Sequence, residues 1–254
     1  MKKLITAIMG ISTLALVSCS NKVKPPVAPE SYAQTQTNSY VDRIATPMVI
    51  SSVLGDPKTP TLGAEDAKQA VVVFFDYACG KCTEIFKRLD NVVDKYPNVK
   101  FIFKAYPSTK RDAKVANYAS LSAYEAYLQG GTELFEKYNK EFFASRYANE
   151  GLSMADVNRV VKDLGIKLNQ PELEQQAEEQ ELESRKLGKA IGFKGPHSMI
   201  ILPTSLVDMS SEELSLHKKD IYVLPGSATS TMMEDNPEEA KWIVDNVEAH
   251  IKTF

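Results

Sequence analysis

Cysteine and histidine are scarce in this chain, with three of each among 254 residues. A structural zinc site wants four Cys or His ligands, commonly two pairs. Only one Cys-x-x-Cys pair is present, Cys79 and Cys82, and the third cysteine, Cys19, sits near the start. No stripe of Lys and Arg interleaved with aromatics runs along the chain, which argues against nucleic acid as a partner. Long apolar runs are missing as well. The one candidate, Leu4 to Val17, is shorter than the ~20 residues of a membrane span. The formal net charge is −3, and loss of residues 1–18 removes Lys2 and Lys3 and no acidic residue, leaving −5.

What is present is organised around Val71-Val72-Val73-Phe74-Phe75-Asp76-Tyr77-Ala78-Cys79-Gly80-Lys81-Cys82. A run of β-branched and aromatic residues reads as a buried strand and stops at the two cysteines. Ile85, Phe86, Leu89, Val92, Val93 and Tyr96 then share one face of a predicted helix. Cys79 is thereby placed where a strand hands over to a helix N-terminus. Unpaired N–H groups and the helix dipole favour negative charge there. A thiolate is such a charge, and it is the form that attacks disulfides. Lys81 adds a nearby positive charge pushing the same way. Cys82, about one turn on, is close enough to close a disulfide with Cys79 across Gly80 and Lys81. Redox chemistry is the leading expectation, because Cys-x-x-Cys beside a βαβ pattern signals it. Metal binding and a plain structural staple are the other uses of such a pair.

The stretch from Leu62 to Cys82, LGAEDAKQAVVVFFDYACGKC, resembles the opening of the DsbA-like branch of the thioredoxin superfamily, which carries a similar Phe-Phe-Asp-Tyr-x-Cys-x-x-Cys entry. The resemblance is closest over Leu54 to Tyr106 and extends over residues 48–254. It implies an α/β thioredoxin fold with an inserted helical domain. It also implies a protein thiol–disulfide oxidoreductase with no cofactor beyond the Cys79–Cys82 disulfide and no metal. Its partners would be substrate proteins with thiols or disulfides, and a membrane redox partner of the DsbB or DsbD type.

From its start, Met1-Lys2-Lys3 followed by apolar Leu4–Val17 has the pattern of a signal peptide. It ends Leu16-Val17-Ser18-Cys19, which resembles the bacterial lipobox. On that reading residues 1–18 are a lipoprotein signal peptide and Cys19 is the lipidated new N-terminus. An ordinary signal peptide with a chance cysteine is the other reading. Several acyl chains on one residue are enough for stable membrane attachment. Ser20 rather than Asp follows, which by resemblance to enterobacterial lipoproteins favours the outer membrane. The periplasm is oxidising and suits a disulfide enzyme. Residues 19–47 are polar, proline-bearing and aperiodic, and are expected to form a flexible tether. They lack the length and pattern of a dimerisation domain, so a monomer is expected.

Beyond the central motif, Val99 to Tyr106 alternates and reads as a second strand, parallel to the first. Arg111 to Ile191 is helical in pattern. Gly130-Gly131 breaks it, Ser153 is a candidate N-cap, Gly165 a stop, and Asn169-Gln170-Pro171 a new start. Strands return at Ser198–Leu202 and Ile221–Leu224. The charged link between them, Pro203 to Asp220, is longer than a hairpin loop and is expected to be a solvated excursion. Asn236-Pro237 opens a final helix that buries Ala240, Ile243, Val247 and Ile251.

One segment departs from the family pattern: Gly192-Phe193-Lys194-Gly195-Pro196-His197-Ser198-Met199. By resemblance, a cis-proline is expected just before this strand, facing the cysteines. Aligned without gaps, His197 holds that position and Pro196 comes one residue early. Either Pro196 is cis in a shifted loop, or His197 faces the cysteines. There an imidazole can favour the Cys79 thiolate, carry a proton, or complete a Cys-Cys-His set for copper or zinc. A plain turn residue is the remaining use of His197. His217 and His250 are expected at the surface. The reading is a lipid-anchored periplasmic oxidoreductase, with Cys79 as the attacking or mixed-disulfide cysteine and Cys82 as the resolving one. The alternatives are a copper- or zinc-binding protein using Cys79, Cys82 and His197, and a non-catalytic thioredoxin-fold component of an envelope complex.

Overall fold

Two helices come before any strand: α1 (Gln34–Ile44) and α2 (Pro47–Leu54). The computed structural model describes residues 34–107, 113–149, 153–226 and 237–251. Tyr40, Val41 and Ile44 of α1 are buried, and they pack in one cluster with Leu187, Ile191 and Phe193. Residues 34–47 are therefore part of the folded domain, a correction to the expected tether. Only three apolar residues in a polar stretch carry this contact, too few to show a period. A short helix of this kind is stable through tertiary burial rather than through its own propensity. The leader, Cys19 and the tether as far as residue 33 lie outside the described residues.

Next come β1 (Thr61–Leu62), β2 (Gln69–Phe75), α3 (Gly80–Lys95) and β3 (Val99–Ala105). Every residue of β2 is buried, which is why its sequence from Ala70 to Phe75 is continuously apolar rather than alternating. The helical insert follows as α4 (Ala113–Asn149), α5 (Met154–Asp163) and α6 (Pro171–Ile191). The chain closes with β4 (Ser198–Pro203), α7 (Ser211–Leu216), β5 (Tyr222–Leu224) and α8 (Pro237–Ile251). The sheet order is β1-β3-β2-β4-β5. The β2–β3 pair is parallel, and the other pairs are antiparallel.

The sheet separates two apolar layers. Val71, Val73, Phe75, Phe101 and Phe103 meet α3, α4 and α8 on one side. Ala70, Val72, Phe74 and Ile102 meet α1, α2 and α6 on the other. This is the expected thioredoxin fold with an inserted helical domain.

Local signals in the insert act as the sequence predicts. Gly131 takes φ 61°, ψ −153° inside α4, a conformation open essentially to glycine alone, and it kinks the helix. Ser153 caps α5 in a reciprocal capping box with Asp156. Pro171 opens α6, and Gly192 at φ 90° ends it. The link from 203 to 220 corrects the expectation of a solvated excursion. It holds a 3-10 turn (Thr204–Asp208), α7 and a second 3-10 turn (Lys218–Asp220). Leu206 and Leu214 anchor it in the core, and Ser210 with Glu213 forms a capping box on α7. Two buried leucines in a charged background make too weak a period to read in advance.

Candidate active site

The two cysteines sit where β2 hands over to α3. Asp76 opens the turn: its Oδ1 accepts from the Ala78 N–H at 2.8 Å, and its carbonyl accepts from the Cys79 N–H at 3.0 Å. Tyr77 points into the insert. Its ring stacks on Phe143 and meets Tyr138 and Phe142 edge-on, and its hydroxyl donates to Asn139 Oδ1 at 2.7 Å. The Asp-Tyr pair thus fixes the turn on one side and wedges it into the helical block on the other.

Cys79 is the N-cap of α3. Its Sγ accepts from the Cys82 N–H at 3.3 Å, and its carbonyl accepts from Thr83. A thiolate here takes the role that Asp or Ser plays at other N-caps. Both thiols are free. Cys79 and Cys82 are 2% and 1% exposed.

Of the two alternatives for the loop before β4, His197 facing the cysteines is the one found. There is no cis peptide bond among the described residues, so Pro196 is trans. His197 Nδ1 lies 3.9 Å from Cys79 Sγ, and the ring is 1% exposed. Its backbone is left-handed, φ 60°, a conformation costing a non-glycine residue ~1–3 kcal/mol and concentrated at functional sites. The loop is clamped to hold it. Ser198 Oγ donates to Gly195 O at 3.0 Å and accepts from the Gly226 N–H at 2.8 Å. A Cβ at Gly226 would stand 2.1 Å from Pro196 O, so only glycine lets this strand exit approach so closely.

These contacts split the two thiols. Cys79 is held well below the ordinary thiol range by the hydrogen bond from the Cys82 thiol, against the opposing effect of burial. The hydrogen bond and charge of His197, and the Cys82 N–H, add to that lowering. Cys82 is pushed well above the ordinary range, by burial first and then by the hydrogen bond and charge of Cys79. One sulfur is thus set to carry the charge and the other to keep its proton.

Lys81 does not act as the sequence suggests. Its Nζ is 2.5 Å from Glu239 Oε2 in α8, with the two side chains 5% and 13% exposed. Its charge is committed to Glu239, and it is not among the groups that lower Cys79. Gly80 is the buried first residue of α3. His217 pairs with Asp220 at 2.8 Å and His250 stacks on Tyr222, both away from the cysteines in sequence and in partners. Asp76 belongs to the entry motif but has no role assigned by the sequence, and Glu239 has none either. Asp76 carried a signal, an acid closing an apolar strand three residues before Cys79. Glu239 carried none, because a contact across 158 positions has no local trace.

The three side chains brought together are Cys79, Cys82 and His197, with one donor atom each and all three atoms within 4.8 Å of one another. They could hold a soft metal ion as well as exchange disulfides. No helix among the described residues is long and apolar enough to cross a membrane.

Comparison with known proteins bears on the fold and the family. No curated protein matches the chain. Among solved structures it is similar to BcfH of Salmonella enterica Typhimurium, with a TM-score of 0.63 and 21% identity over 86% of this chain and 81% of that one. It is also similar to the thiol-disulfide exchange protein alpha-DsbA2 of Wolbachia pipientis, with a TM-score of 0.54 and 20% identity over 74% and 98%. A periplasmic thioredoxin-like protein of Salmonella enterica serovar Typhimurium gives 0.51 and 20% over 66% and 97%. At these identities the likeness is one of fold. The family model described as Thioredoxin matches residues 55–192, which is more than half of the 254 and includes both cysteines. The chain belongs to the thioredoxin family.

Proposed function

We propose that the protein is a lipid-anchored periplasmic thiol–disulfide oxidoreductase that donates disulfides to envelope proteins. The observation that carries the reading is Cys79 as N-cap of α3, its sulfur facing both the Cys82 N–H and His197. In the donating direction the pair starts as a disulfide. A substrate thiolate attacks Cys79 Sγ, the Cys79–Cys82 bond breaks, and Cys82 leaves and takes up a proton. A second substrate thiolate then attacks the substrate sulfur of the mixed disulfide, and Cys79 departs as a thiolate. The substrate loses two electrons and the Cys79–Cys82 pair gains them. A low-pKa sulfur is the better leaving group, and a stabilised reduced form makes a stronger oxidant. Both favour donation. A membrane protein of the DsbB type would reoxidise the pair. Cys79 is buried, so substrate approach requires its surroundings to open.

Lipidation at Cys19, attachment at the outer membrane and a monomeric state rest on the leader pattern and the polar segment after it. Trapping tests the exchange reading. Cys82→Ser should accumulate a mixed disulfide at Cys79, and Cys79→Ser should accumulate none. If neither variant forms one and the wild type exchanges no faster than a protein lacking both thiols, the oxidoreductase reading is wrong. A potential near roughly −120 mV supports donation, and one near roughly −270 mV supports a reductase. Full biological activity in the Cys79→Ala, Cys82→Ala double variant would favour the non-catalytic envelope component.

A further inference from the structure

We propose that the reduced site also binds one copper(I) ion, through Cys79 Sγ, Cys82 Sγ and His197 Nδ1, and that this binding and the disulfide exclude each other. The carrying observation is the juxtaposition. Three donor atoms from two separate elements, the start of α3 and the loop before β4, lie within 4.8 Å of one another, and all three residues are at most 2% exposed. With metal–sulfur and metal–nitrogen bonds of ~2.0–2.3 Å, three donors spaced around one ion stand ~3.5–4.0 Å apart. The His197 Nδ1–Cys79 Sγ pair is already at 3.9 Å, and the trio as a whole needs to close by roughly 1 Å. The left-handed backbone at His197, clamped by Ser198 and Gly226, aims the imidazole at Cys79 before any ion arrives. The ligand set is thus built rather than gathered.

Donor chemistry selects the ion. Two thiolates and an imidazole are soft donors, which favour copper(I) and zinc over magnesium, calcium or manganese. Zinc completes a tetrahedral set with a fourth ligand. Among the described residues no fourth Cys, His, Asp or Glu joins the group, and its burial leaves little access for water. A closed-shell monovalent ion accepts three ligands. Binding displaces the remaining thiol protons and transfers no electrons. The ion, two thiolates and a neutral imidazole carry a net −1 charge at the end of α3, where the helix dipole favours it. Oxidation to the disulfide removes both thiolates, so the oxidised site has no affinity left. Copper loading would accordingly block exchange.

The test uses the full chain in detergent, anaerobically, with copper(I) delivered from a competing chelator of known affinity. Reduced wild type should take one copper per chain and show sulfur-to-copper charge-transfer absorption. The same protein oxidised to its disulfide should take none. His197→Asn, chosen because Asn tolerates a positive φ, should keep its fold by circular dichroism and lose at least tenfold in copper affinity. Sub-stoichiometric copper on reduced wild type, equal loading of the oxidised form, or unchanged affinity in His197→Asn would each overturn the proposal. So would stoichiometric zinc with no copper when both are offered. Disulfide exchange measured on the same preparations keeps the two readings apart. Exchange without copper binding overturns this inference alone, and copper binding without exchange overturns the oxidoreductase reading alone.

Discussion

Replacing His197 by Asn should make the Cys79–Cys82 pair more reducing, and the structure gives the size. The imidazole Nδ1 is 3.9 Å from Cys79 Sγ, the two residues are at most 2% exposed, and little water screens the contact. Hydrogen bonds to a charged partner contribute ~1.5–3 kcal/mol. A contact this long belongs at the low end, so the reduced form should lose ~1.5 kcal/mol, equivalent to ~30 mV and about tenfold in the exchange equilibrium. The sign is fixed. The imidazole stabilises the thiolate of the reduced state and has no thiolate to act on in the disulfide, so removing it lowers the potential. Asparagine keeps the left-handed backbone accessible and isolates the ring from the loop. The assay is equilibration of each protein with glutathione buffers, scored by alkylation, with melting of both oxidised proteins as a check on the fold. A potential unchanged within ~10 mV, or shifted upward, would show that His197 is a turn residue and that α3 and Cys82 alone hold the Cys79 thiolate.

Three other outcomes are expected. Glu239→Gln leaves Lys81 buried without its charge partner and should cost ~3 kcal/mol or more in urea unfolding, whereas Lys81→Met combined with Glu239→Gln should recover most of that loss. A double variant as unstable as the single one sinks the ion-pair reading. Glu125 is buried, its Oε2 lacks a hydrogen-bond partner among the described residues, and burial raises its carboxyl to about 7. Its folded pKa is raised, so its contribution is fully present below the unfolded carboxylate value, ~4.3, and is lost as pH rises toward 7. The melting temperature of wild type relative to Glu125→Gln should fall across that window and level off above it, and a flat difference would contradict the assignment. Ile44→Ala should cost ~2–4 kcal/mol, because Ile44 is fully buried on the sheet's second face. A loss below ~0.5 kcal/mol would return α1 to the tether.

The extent to which the fold was legible follows the range of each signal. The uniformly apolar β2, the amphipathic α3, the glycine break in α4, the Ser153 cap and the Pro171 start are all written within a few residues, and each lies where the pattern predicts. The pairing of Cys79 with the α3 N-terminus is local in the same way. α1 was not legible, because three apolar residues acquire meaning only once Leu187 and Ile191 arrive from 143 or more positions away. The same holds for Lys104. It alternates with apolar neighbours like a solvent-facing strand residue, yet it is 2% exposed and donates to Thr59 Oγ1 at 2.7 Å.

By itself, the sequence determined that a strand would deliver a cysteine pair to a helix N-terminus, because periodicity and capping are short-range physics, while the thioredoxin fold around it is what the family resemblance implies. Tertiary structure alone decided what surrounds that pair. Local spacing points the Lys81 charge at Cys79, whereas packing against α8 gives it to Glu239. The loop before β4 left Pro196 and His197 as open choices, and its clamping to Gly226 settled that the imidazole faces the thiolate. Which charges meet across a core depends on how distant helices dock, and that information is spread over the whole chain rather than held in any one motif.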